Sequence, residues 1–320
     1  MNEVLKKISE IGIVPVIKIE DIKNAVPLAK ALIDGGIPVA EITFRTAGAD
    51  KAIKTVKDAF PQMLVGAGTV LTIDQVKAAV AAGAQFIVSP GFNPKIVSYC
   101  NEMSIPVTPG CSTASEIEQA IELGLDVVKF FPAEQSGGID KIKALTAPYS
   151  NIKFMPTGGI DLKNLCTYLA NDKIIACGGS FMVKEEFIKN GEWDKITALS
   201  KQSVDIMLGF EIGHVGINAA NEQEALAAAN LFGALFNLPV KSGNSSIFAG
   251  SAVEVMKSPY LGKYGHIGVK TNSVLRAKYH LESRGIKFNE SSAKFDSKGN
   301  ITAIYVEQEI GGFAVHLMQK

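Results

Sequence analysis

The sequence predicts an α/β protein that consists of a (β/α)8 TIM barrel followed by a smaller α+β domain of two βαβββ modules. Short apolar runs alternate with helical stretches over the first two thirds of the chain, and this alternation stops near residue 209. A pentapeptide is then repeated, which indicates two similar modules. Since 320 residues are ample for two domains, we expect a barrel domain over residues 1–208 and a second domain over residues 209–320.

The barrel is predicted from eight short strands that are almost continuously apolar, as is typical of a parallel sheet covered on both faces. These strands are Val14–Ile19, Val39–Phe44, Leu64–Thr69, Phe86–Pro90, Ile105–Pro109, Val127–Pro132, Phe154–Thr157 and Ile174–Gly179. The helical stretches between them are Ala25–Ile33, Asp50–Ala59, Ile73–Ala81, Pro94–Asn101, Ala114–Leu123 and Gly138–Ala144. Eight strands favour a closed barrel over a doubly wound sheet, and no GxGxxG dinucleotide motif follows the first strand.

The second domain is predicted from strands with alternating side chains and from the repeat GHVGI (213–217) and GHIGV (265–269). Each pentapeptide begins a βαβββ half. The expected elements are the strands Glu211–Asn218, Ser246–Ala249, Ala252–Met256, His266–Thr271, a strand around Lys294, Thr302–Gln308 and Phe313–Met318, and the helices Glu222–Phe236 and Ser273–Arg284.

Composition narrows the class of protein. Lys plus Arg equals Asp plus Glu at 32 each, and there are no charged runs, so nothing points to nucleic acid or a membrane surface as a partner. No apolar stretch is long enough to span a bilayer, and the N-terminus MNEVLKKISE reads as an amphipathic helix rather than a signal peptide. Four scattered cysteines without a CxxC pair suit a reducing compartment. We therefore expect a soluble, cytoplasmic protein of two domains, and composition alone indicates nothing about its chemistry.

The residue that points to chemistry is Lys129, which lies within the apolar run VVKFF. Burying an ammonium group is costly, so this lysine must be ion-paired or partly neutral. A neutral amine attacks a ketone and forms an imine, which predicts a Schiff-base lysine. The alternative is a structural lysine paired with a barrel carboxylate. Glu41 suits both readings, because a carboxylate inside a predicted apolar strand is either an ion-pair partner or a general acid–base.

Other strand ends carry groups that suit an anionic ligand. Arg45 offers a bidentate fork for a carboxylate, although a surface salt bridge is the alternative. Thr157-Gly158-Gly159 follows the seventh strand and a second glycine pair precedes Ser180 after the eighth. These are the two strands after which barrels commonly bind phosphate, and glycines let backbone N–H groups approach the anion.

Five segments taken together resemble the 2-keto-3-deoxy-6-phosphogluconate (KDPG) and 4-hydroxy-2-oxoglutarate (KHG) aldolases. They are EITFRT (41–46), VGAGTV (65–70), FIVSPG (86–91), KFFPAE (129–134) and PTGGI (156–160). The resemblance covers roughly residues 1–205. It implies a class I aldolase that acts on a keto-acid or sugar-phosphate substrate, needs no metal or other cofactor, and forms a homotrimer.

The resemblance also implies roles for individual residues. Lys129 would form the Schiff base and Glu41 would be the general acid–base. The pyruvate part would be surrounded by Arg45, Thr69 and Pro90, and the phosphate would be held by Thr157, Gly158, Gly159 and Ser180. Lys18 stands where related sequences have a basic or an apolar residue, so its part in substrate binding is left open.

In the second domain, three of the four histidines of the chain and one glutamate fall on matched strand positions. His214 and His266 lie on the first strands of the two halves, and Glu254 and His316 on the last strands. This pattern resembles the vicinal-oxygen-chelate superfamily, to which glyoxalase I belongs, and implies a divalent metal such as zinc, nickel, iron or manganese. His316 stands where a carboxylate is commoner. The alternative is a module without activity that serves oligomerisation or packing.

Two other readings of the whole chain stay open at this point. In one, catalysis belongs to the second domain, as a metal-dependent isomerase or lyase, and the barrel is a scaffold. In the other, the protein is a sugar-phosphate sensor that binds without turnover. The sequence favours the aldolase because Lys129, Glu41, Arg45 and the glycine-rich strand ends are all present, and it does not choose between KDPG and KHG.

Overall fold

Several helices in the computed structural model, which describes all 320 residues, begin at short polar side chains that cap their first turns. Asn2 accepts a hydrogen bond from the Leu5 N–H at 2.9 Å, and Thr113 forms a reciprocal capping box with Glu116. Such caps satisfy N–H groups that have no partner inside the helix, and each stabilises the helix by about 1 kcal/mol. None of the helices combines the length and the apolar character that crossing a membrane requires.

The chain divides into two compact units, Met1–Met207 and Leu208–Lys320. The helices up to the boundary are α1 Glu3–Ile11, α2 Ala25–Asp34, α3 Ala49–Ala59, α4 Ile73–Ala81, α5 Pro94–Glu102, α6 Ala114–Glu122, α7 Gly138–Thr146, α8 Leu165–Leu169, α9 Glu185–Lys189 and α10 Trp193–Leu208. The strands of the first unit are β1 Ile13–Ile17, β2 Val39–Thr43, β3 Leu64–Gly68, β4 Phe86–Val88, β5 Val107–Thr108, β6 Val127–Phe130, β7 Lys153–Pro156 and β8 Cys177–Gly179.

All neighbouring strands of the first unit are parallel. One sheet has the order β5-β4-β3-β2-β1-β8, and β6 pairs with β7. Isolated bridges join the two groups, Gly110 to Lys129 on one side, and Phe154 to Ile174 and Thr157 to Gly178 on the other. The strands therefore follow one another in sequence order around a ring, as predicted for a (β/α)8 barrel. In such a fold the carboxyl ends of all strands meet at one face.

Several strands end earlier than the sequence predicted. Thr69, Pro90 and Thr157 follow β3, β4 and β7 instead of closing them, and predicted strand Val127–Pro132 ends at Phe130. The backbone of Thr69 has φ 55°, which an extended strand cannot accommodate. The short helices α8 and α9 were not predicted, because five residues are too few to show a helical period.

The second unit contains one eight-stranded sheet and two helices. Its elements are β9 Glu211–Asn218, α11 Glu222–Phe236, β10 Val240–Ser242, β11 Ser246–Ala249, β12 Val253–Met256, β13 Gly265–Thr271, α12 Val274–Glu282, β14 Phe288–Phe295, β15 Ile301–Val306 and β16 Phe313–Gln319. The order along the chain is strand, helix and three strands, twice over. The edge strand β10 was not predicted, because its three residues are all exposed and show no apolar alternation.

The two halves of the second unit meet along one central ladder. The sheet order is β10-β11-β12-β9-β13-β16-β15-β14, and β9 pairs antiparallel with β13. A small core under α11 joins Ala225 and Ala229 to Ile247 and Val255. The small alanine side chains let the helix lie close to the strands, and the alternation of each strand leaves its other side chains on the opposite face.

Candidate active site and candidate metal centre

Lys129 and Glu41 form a buried ion pair inside the first unit. Lys129 lies on β6 with 5% of its surface exposed, and Glu41 lies on β2 with none exposed. The Lys129 Nζ atom is 3.1 Å from Glu41 Oε1, whereas Glu41 Oε2 is buried without a hydrogen-bond partner. An amine and a carboxylate at this distance can exchange a proton, and the free oxygen can accept a hydrogen bond or a proton from a bound ligand instead.

Glu41 can lie there because the neighbouring strand offers a glycine. A Cβ at Gly68 on β3 would lie 2.2 Å from Glu41 Oε1, far inside van der Waals contact. Gly178, beside Thr157, shows the same relation, since a Cβ there would lie 2.2 Å from Thr157 Oγ1. The sequence alone does not single out Gly68 for this purpose, because only the pairing of β2 with β3 brings the two residues together.

A cavity of about 550 Å3 lies at the carboxyl ends of the strands. It brings together six predicted residues, namely Lys18, Arg45, Thr157, Gly158, Gly159 and Ser180, together with Lys184, Glu185 and Phe131 among others. Lys184 was missed by the sequence analysis, although it follows Ser180 by four residues in the loop after the last strand. Three cationic side chains and a glycine-rich turn suit a ligand that carries negative charge.

Gly158 and Gly159 form the turn after β7, with φ values of 102° and 78° that favour glycine. The carbonyl of Gly158 accepts from the Glu134 N–H at 3.1 Å, and the Gly159 carbonyl accepts from Asn164 Nδ2 at 2.9 Å. Thr157 Oγ1 is buried and has no partner. With no Cβ atoms in the way, an anion can approach the backbone N–H groups of this turn closely.

Lys18 is already paired with two carboxylates at the rim of the cavity. Its Nζ atom lies 2.8 Å from Glu20 Oε1 and 3.2 Å from Glu185 Oε2. The pKa of Lys18 is raised above its ordinary value, mainly by the hydrogen bond to Glu20 and to a smaller degree by the one to Glu185. The side chain therefore stays cationic, and it is 28% exposed, so a ligand can reach it.

Thr69 and Pro90 do not line this cavity, but they lie on strand ends next to the ion pair. Thr69 follows Gly68 directly. Pro90 packs against Gly110, since a Cβ at Gly110 would lie 2.1 Å from the Pro90 carbonyl oxygen. Gly110 in turn bridges Lys129. Neither Lys129 nor Glu41 lines the cavity, but Phe131 does, and its ring centroid lies 5.5 Å from Lys129 Nζ.

A family model described as KDPG and KHG aldolase matches residues 4–199. The chain belongs to this aldolase family. Aldolases of this kind are carbon–carbon lyases, and the match covers the first unit and both residues of the ion pair. It ends within α10.

Relatives in the aldolase family match over nearly their whole length. The 2-dehydro-3-deoxy-phosphogluconate aldolase of Treponema pallidum is 47% identical over 207 residues, which cover 65% of this chain and 99% of that protein. The KHG/KDPG aldolase of Escherichia coli K12 is 42% identical over 193 residues, 60% of this chain and 91% of that protein.

Among solved structures, the KDPG aldolase of Legionella pneumophila with pyruvate captured as a covalent carbinolamine intermediate matches with a TM-score of 0.60. The two chains are 41% identical, and the match covers 62% of this chain and 96% of that one. The aldolase family therefore accounts for the first unit, and the second unit has to be read from its own residues.

In the second unit, His214, His266, His316 and Glu254 converge on one point. The Nε2 atom of His214 lies 3.0 Å from that of His266 and 3.4 Å from that of His316. Glu254 Oε2 lies 3.1 Å from His266 Nε2 and 3.3 Å from His214 Nε2. Each histidine is at least nine-tenths buried.

Burial favours the neutral form of two of these imidazoles. It lowers the pKa of His214, and it lowers that of His316 to about 4. Burial alone would raise the pKa of Glu254, but hydrogen bonds from His266 and Ser246 hold it below its ordinary value. Three imidazoles and a carboxylate are a metal-ligand set.

Tyr305 completes the surroundings of the cluster and was missed by the sequence analysis. Its ring stacks on His316 with centroids 4.7 Å apart, and burial raises its pKa to about 12. The two residues are paired across β15 and β16. Only the register between β15 and β16 places Tyr305 beside His316, and the sequence alone does not reveal that register.

Proposed function

We propose that the protein cleaves KDPG to pyruvate and D-glyceraldehyde 3-phosphate through a Schiff base at Lys129, and that the same site cleaves KHG to pyruvate and glyoxylate. The observation that supports this most directly is the buried pair of Lys129 and Glu41 at 3.1 Å, next to a cavity with a glycine turn. Both substrates share a 2-keto-acid end, and KDPG adds a phosphate.

In the proposed reaction, the Lys129 amine adds to the C2 ketone, and loss of water gives the protonated imine. Glu41 takes the proton of the C4 hydroxyl as the C3–C4 bond breaks, and the bonding electrons pass into the imine to form an enamine. Glyceraldehyde 3-phosphate leaves. A proton then returns to C3, and hydrolysis releases pyruvate and the free amine.

Substrate binding follows from the positions of the charged and glycine residues. Arg45 holds the substrate carboxylate through its guanidinium fork, with Thr69 and Pro90 around the pyruvate part. At the other end, the phosphate rests on Gly158 and Gly159, with the Thr157 and Ser180 hydroxyls beside it. Lys18 and Lys184 add positive charge at the rim of the cavity.

Borohydride trapping with pyruvate tests the Schiff base. We expect a stable adduct, located by mass spectrometry at Lys129, in the unaltered protein and in the Lys143→Ala control, whose lysine is exposed. Lys129→Ala should form no adduct and should lose aldol cleavage. Full cleavage by Lys129→Ala would contradict the mechanism, and trapping without any turnover would favour a sensor. Turnover of KDPG and KHG by one preparation decides the preferred substrate.

The homotrimer is also a proposal, and it rests on the family resemblance. Light scattering of the purified protein should give the mass of three chains of 34.0 kDa. A mass of one chain would contradict it. Cytoplasmic location likewise stays a prediction, which fractionation of the source cells would test.

We propose a second function, the binding of a divalent metal by His214, His266, His316 and Glu254. Donor atoms bound to one ion at about 2.0–2.2 Å lie at most about 4.4 Å apart, and the closest pairs here are 3.0 to 3.4 Å apart. Glu254 Oε1 also accepts from Ser246 Oγ at 2.6 Å, which orients the carboxylate. A bound zinc, nickel, iron or manganese ion would supply a Lewis acid, and the resemblance to glyoxalase-like proteins stays a proposal with it.

Elemental analysis tests this second function. We expect about one divalent ion per chain after reconstitution with each metal in turn and removal of the excess. His280→Ala is the control, because His280 lies on α12 and is not one of the clustered histidines. Protein that stays metal-free would rule the site out and leave a packing or oligomerisation role. Metal binding together with loss of all Lys129 chemistry would favour the second unit as the catalyst.

A further inference from the structure

The histidines of the second unit lie over two glycines. On β9 and β13, each half contributes the sequence His-x-Gly, as His214-Val215-Gly216 and His266-Ile267-Gly268. The antiparallel register pairs His266 with Gly216 and His214 with Gly268. Each half therefore places its histidine opposite the glycine of the other half.

The same two glycines also neighbour the remaining donors. Gly216 pairs with Glu254 on β12, and Gly268 pairs with His316 on β16. Residues paired across strands lie on the same face of a sheet, as do residues two apart on one strand. Each glycine is thus flanked by two of the four donors, and together Gly216 and Gly268 form what we call the glycine floor.

Sterics explain why these positions are glycine. A Cβ at Gly216 would lie 2.1 Å from His266 Cε1, and one at Gly268 would lie 2.4 Å from His214 Cε1. Carbon atoms in contact are normally about 3.5–4.0 Å apart. Neither glycine has a positive φ, so the backbone would accept alanine. The constraint comes from the imidazole rings that lie across the floor.

The orientation of His266 depends on this packing. The second ring nitrogen of a metal-binding histidine usually donates a hydrogen bond that fixes the ring. In His266 the Nδ1 atom is buried and has no such partner. The ring therefore takes its direction from the space above Gly216 and from its contacts with Glu254 and His214.

We propose that Gly216 and Gly268 are positioning residues of the metal site, each holding the donor of the opposite half in place by leaving room for its ring. This inference rests on the proposed metal binding. It also explains the repeated pentapeptide, because a half that kept its histidine but lost its glycine would displace the histidine of its partner half.

The experiment measures binding of Zn2+ alone to the metal-free full-length protein, in competition with a chromophoric chelator. We expect Gly216→Ala and Gly268→Ala to bind about 10- to 100-fold more weakly than the unaltered protein. Val215→Ala is the matched control, because Val215 faces Ile267 and Val253 on the opposite side of the sheet. Its affinity should be unchanged. Unchanged affinity in both glycine variants would overturn the proposal.

A second measurement needs no metal. Thermal unfolding of metal-free Gly216→Ala should show a lower Tm, whereas the same change in a His266→Ala background should have little effect, because the ring is gone. An equal decrease in Tm with and without the His266 ring would overturn the proposal, since Gly216 would then be needed for the fold and not for the position of His266. If the unaltered protein bound neither Zn2+ nor Ni2+, Mn2+ or Fe2+, the metal site itself would fail, an outcome distinct from failure of the glycine floor.

Discussion

Glycine placement decides where the functional side chains of both units point. Gly68 leaves room for Glu41, Gly178 for Thr157, and Gly216 for His266. In each case the glycine lies on the strand beside the residue it serves, at a register position that the sequence does not reveal. A glycine in a strand costs up to about 1 kcal/mol of stability relative to alanine. Glycine at these positions therefore lowers the stability of the strand slightly, and in return a polar side chain is held at a defined place.

The first prediction concerns Gly68. Gly68→Ala should push Glu41 away from Lys129 and lower kcat for aldol cleavage at least about 100-fold, which is the usual contribution of a general acid–base. Steady-state kinetics with KDPG would measure it. Gly66→Ala is the control, because a Cβ there meets Phe86 at 2.3 Å instead of Glu41. It should lower Tm but keep most of the rate at low temperature. An unchanged kcat in Gly68→Ala would contradict the assigned position of Glu41.

The second prediction concerns Lys18, which is held by Glu20 and Glu185 beside the cavity. Lys18→Met should raise KM for KDPG about tenfold, equivalent to about 1.4 kcal/mol, and should leave KM for KHG unchanged, because KHG has no phosphate. Lys23→Met removes a similar surface ion pair, with Asp21 at 2.8 Å, and serves as the control. Equal changes for both substrates would assign Lys18 to the pyruvate end or to the fold.

At the scale of elements, the turn after β7 is held by a residue from α8. The Tyr168 hydroxyl donates to Glu134, and Tyr168 is only 1% exposed. A Cβ at Gly159 would lie 2.6 Å from Glu134 Cβ, so the glutamate is packed against the turn. The hydrogen bond connects α8 to the segment after β6, and with it to the backbone that lines the cavity.

The third prediction follows from this connection. Tyr168→Phe should raise KM for KDPG about two- to tenfold, as expected for loss of one hydrogen bond worth about 0.5–1.5 kcal/mol, with kcat and the KM for KHG unchanged. Tyr149→Phe is a matched control, because Tyr149 donates a similar hydrogen bond to Glu118 on an exposed surface, at 2.8 Å. A lower Tm with unchanged KM for both substrates would assign the pair to general stability.

For the whole molecule, we infer two independent sites on one chain, each built within its own unit. Saturation with Zn2+ at 100 times Kd should stabilise the second unit by about 2.7 kcal/mol, visible in calorimetry as a higher Tm of one transition. His316→Ala should abolish this shift.

EDTA should remove the metal and leave aldol cleavage unchanged, since imine chemistry on Lys129 needs no ion. Loss of cleavage in EDTA, restored by Zn2+, would contradict the independence of the sites.

The order of the eight parallel strands and the position of α11 were readable from the sequence, because apolar runs and helical periods report burial directly. The residues Lys129, Glu41 and the glycine turn were readable too, since a charged residue in an apolar strand and paired glycines at strand ends are local signals. The short elements α8, α9 and β10 were not, because they are too brief for a period to appear.

The sequence by itself determined which groups the protein carries: a lysine on one strand, a glutamate on another, and histidines in a repeated pentapeptide. Tertiary structure decided which of them meet. Strand pairing brings Lys129 to 3.1 Å from Glu41 across 88 residues of chain, and brings His214 to 3.4 Å from His316 across 102. It also places each glycine beneath the side chain it serves. Register between distant strands is set by the packing of the whole sheet, which no local pattern contains.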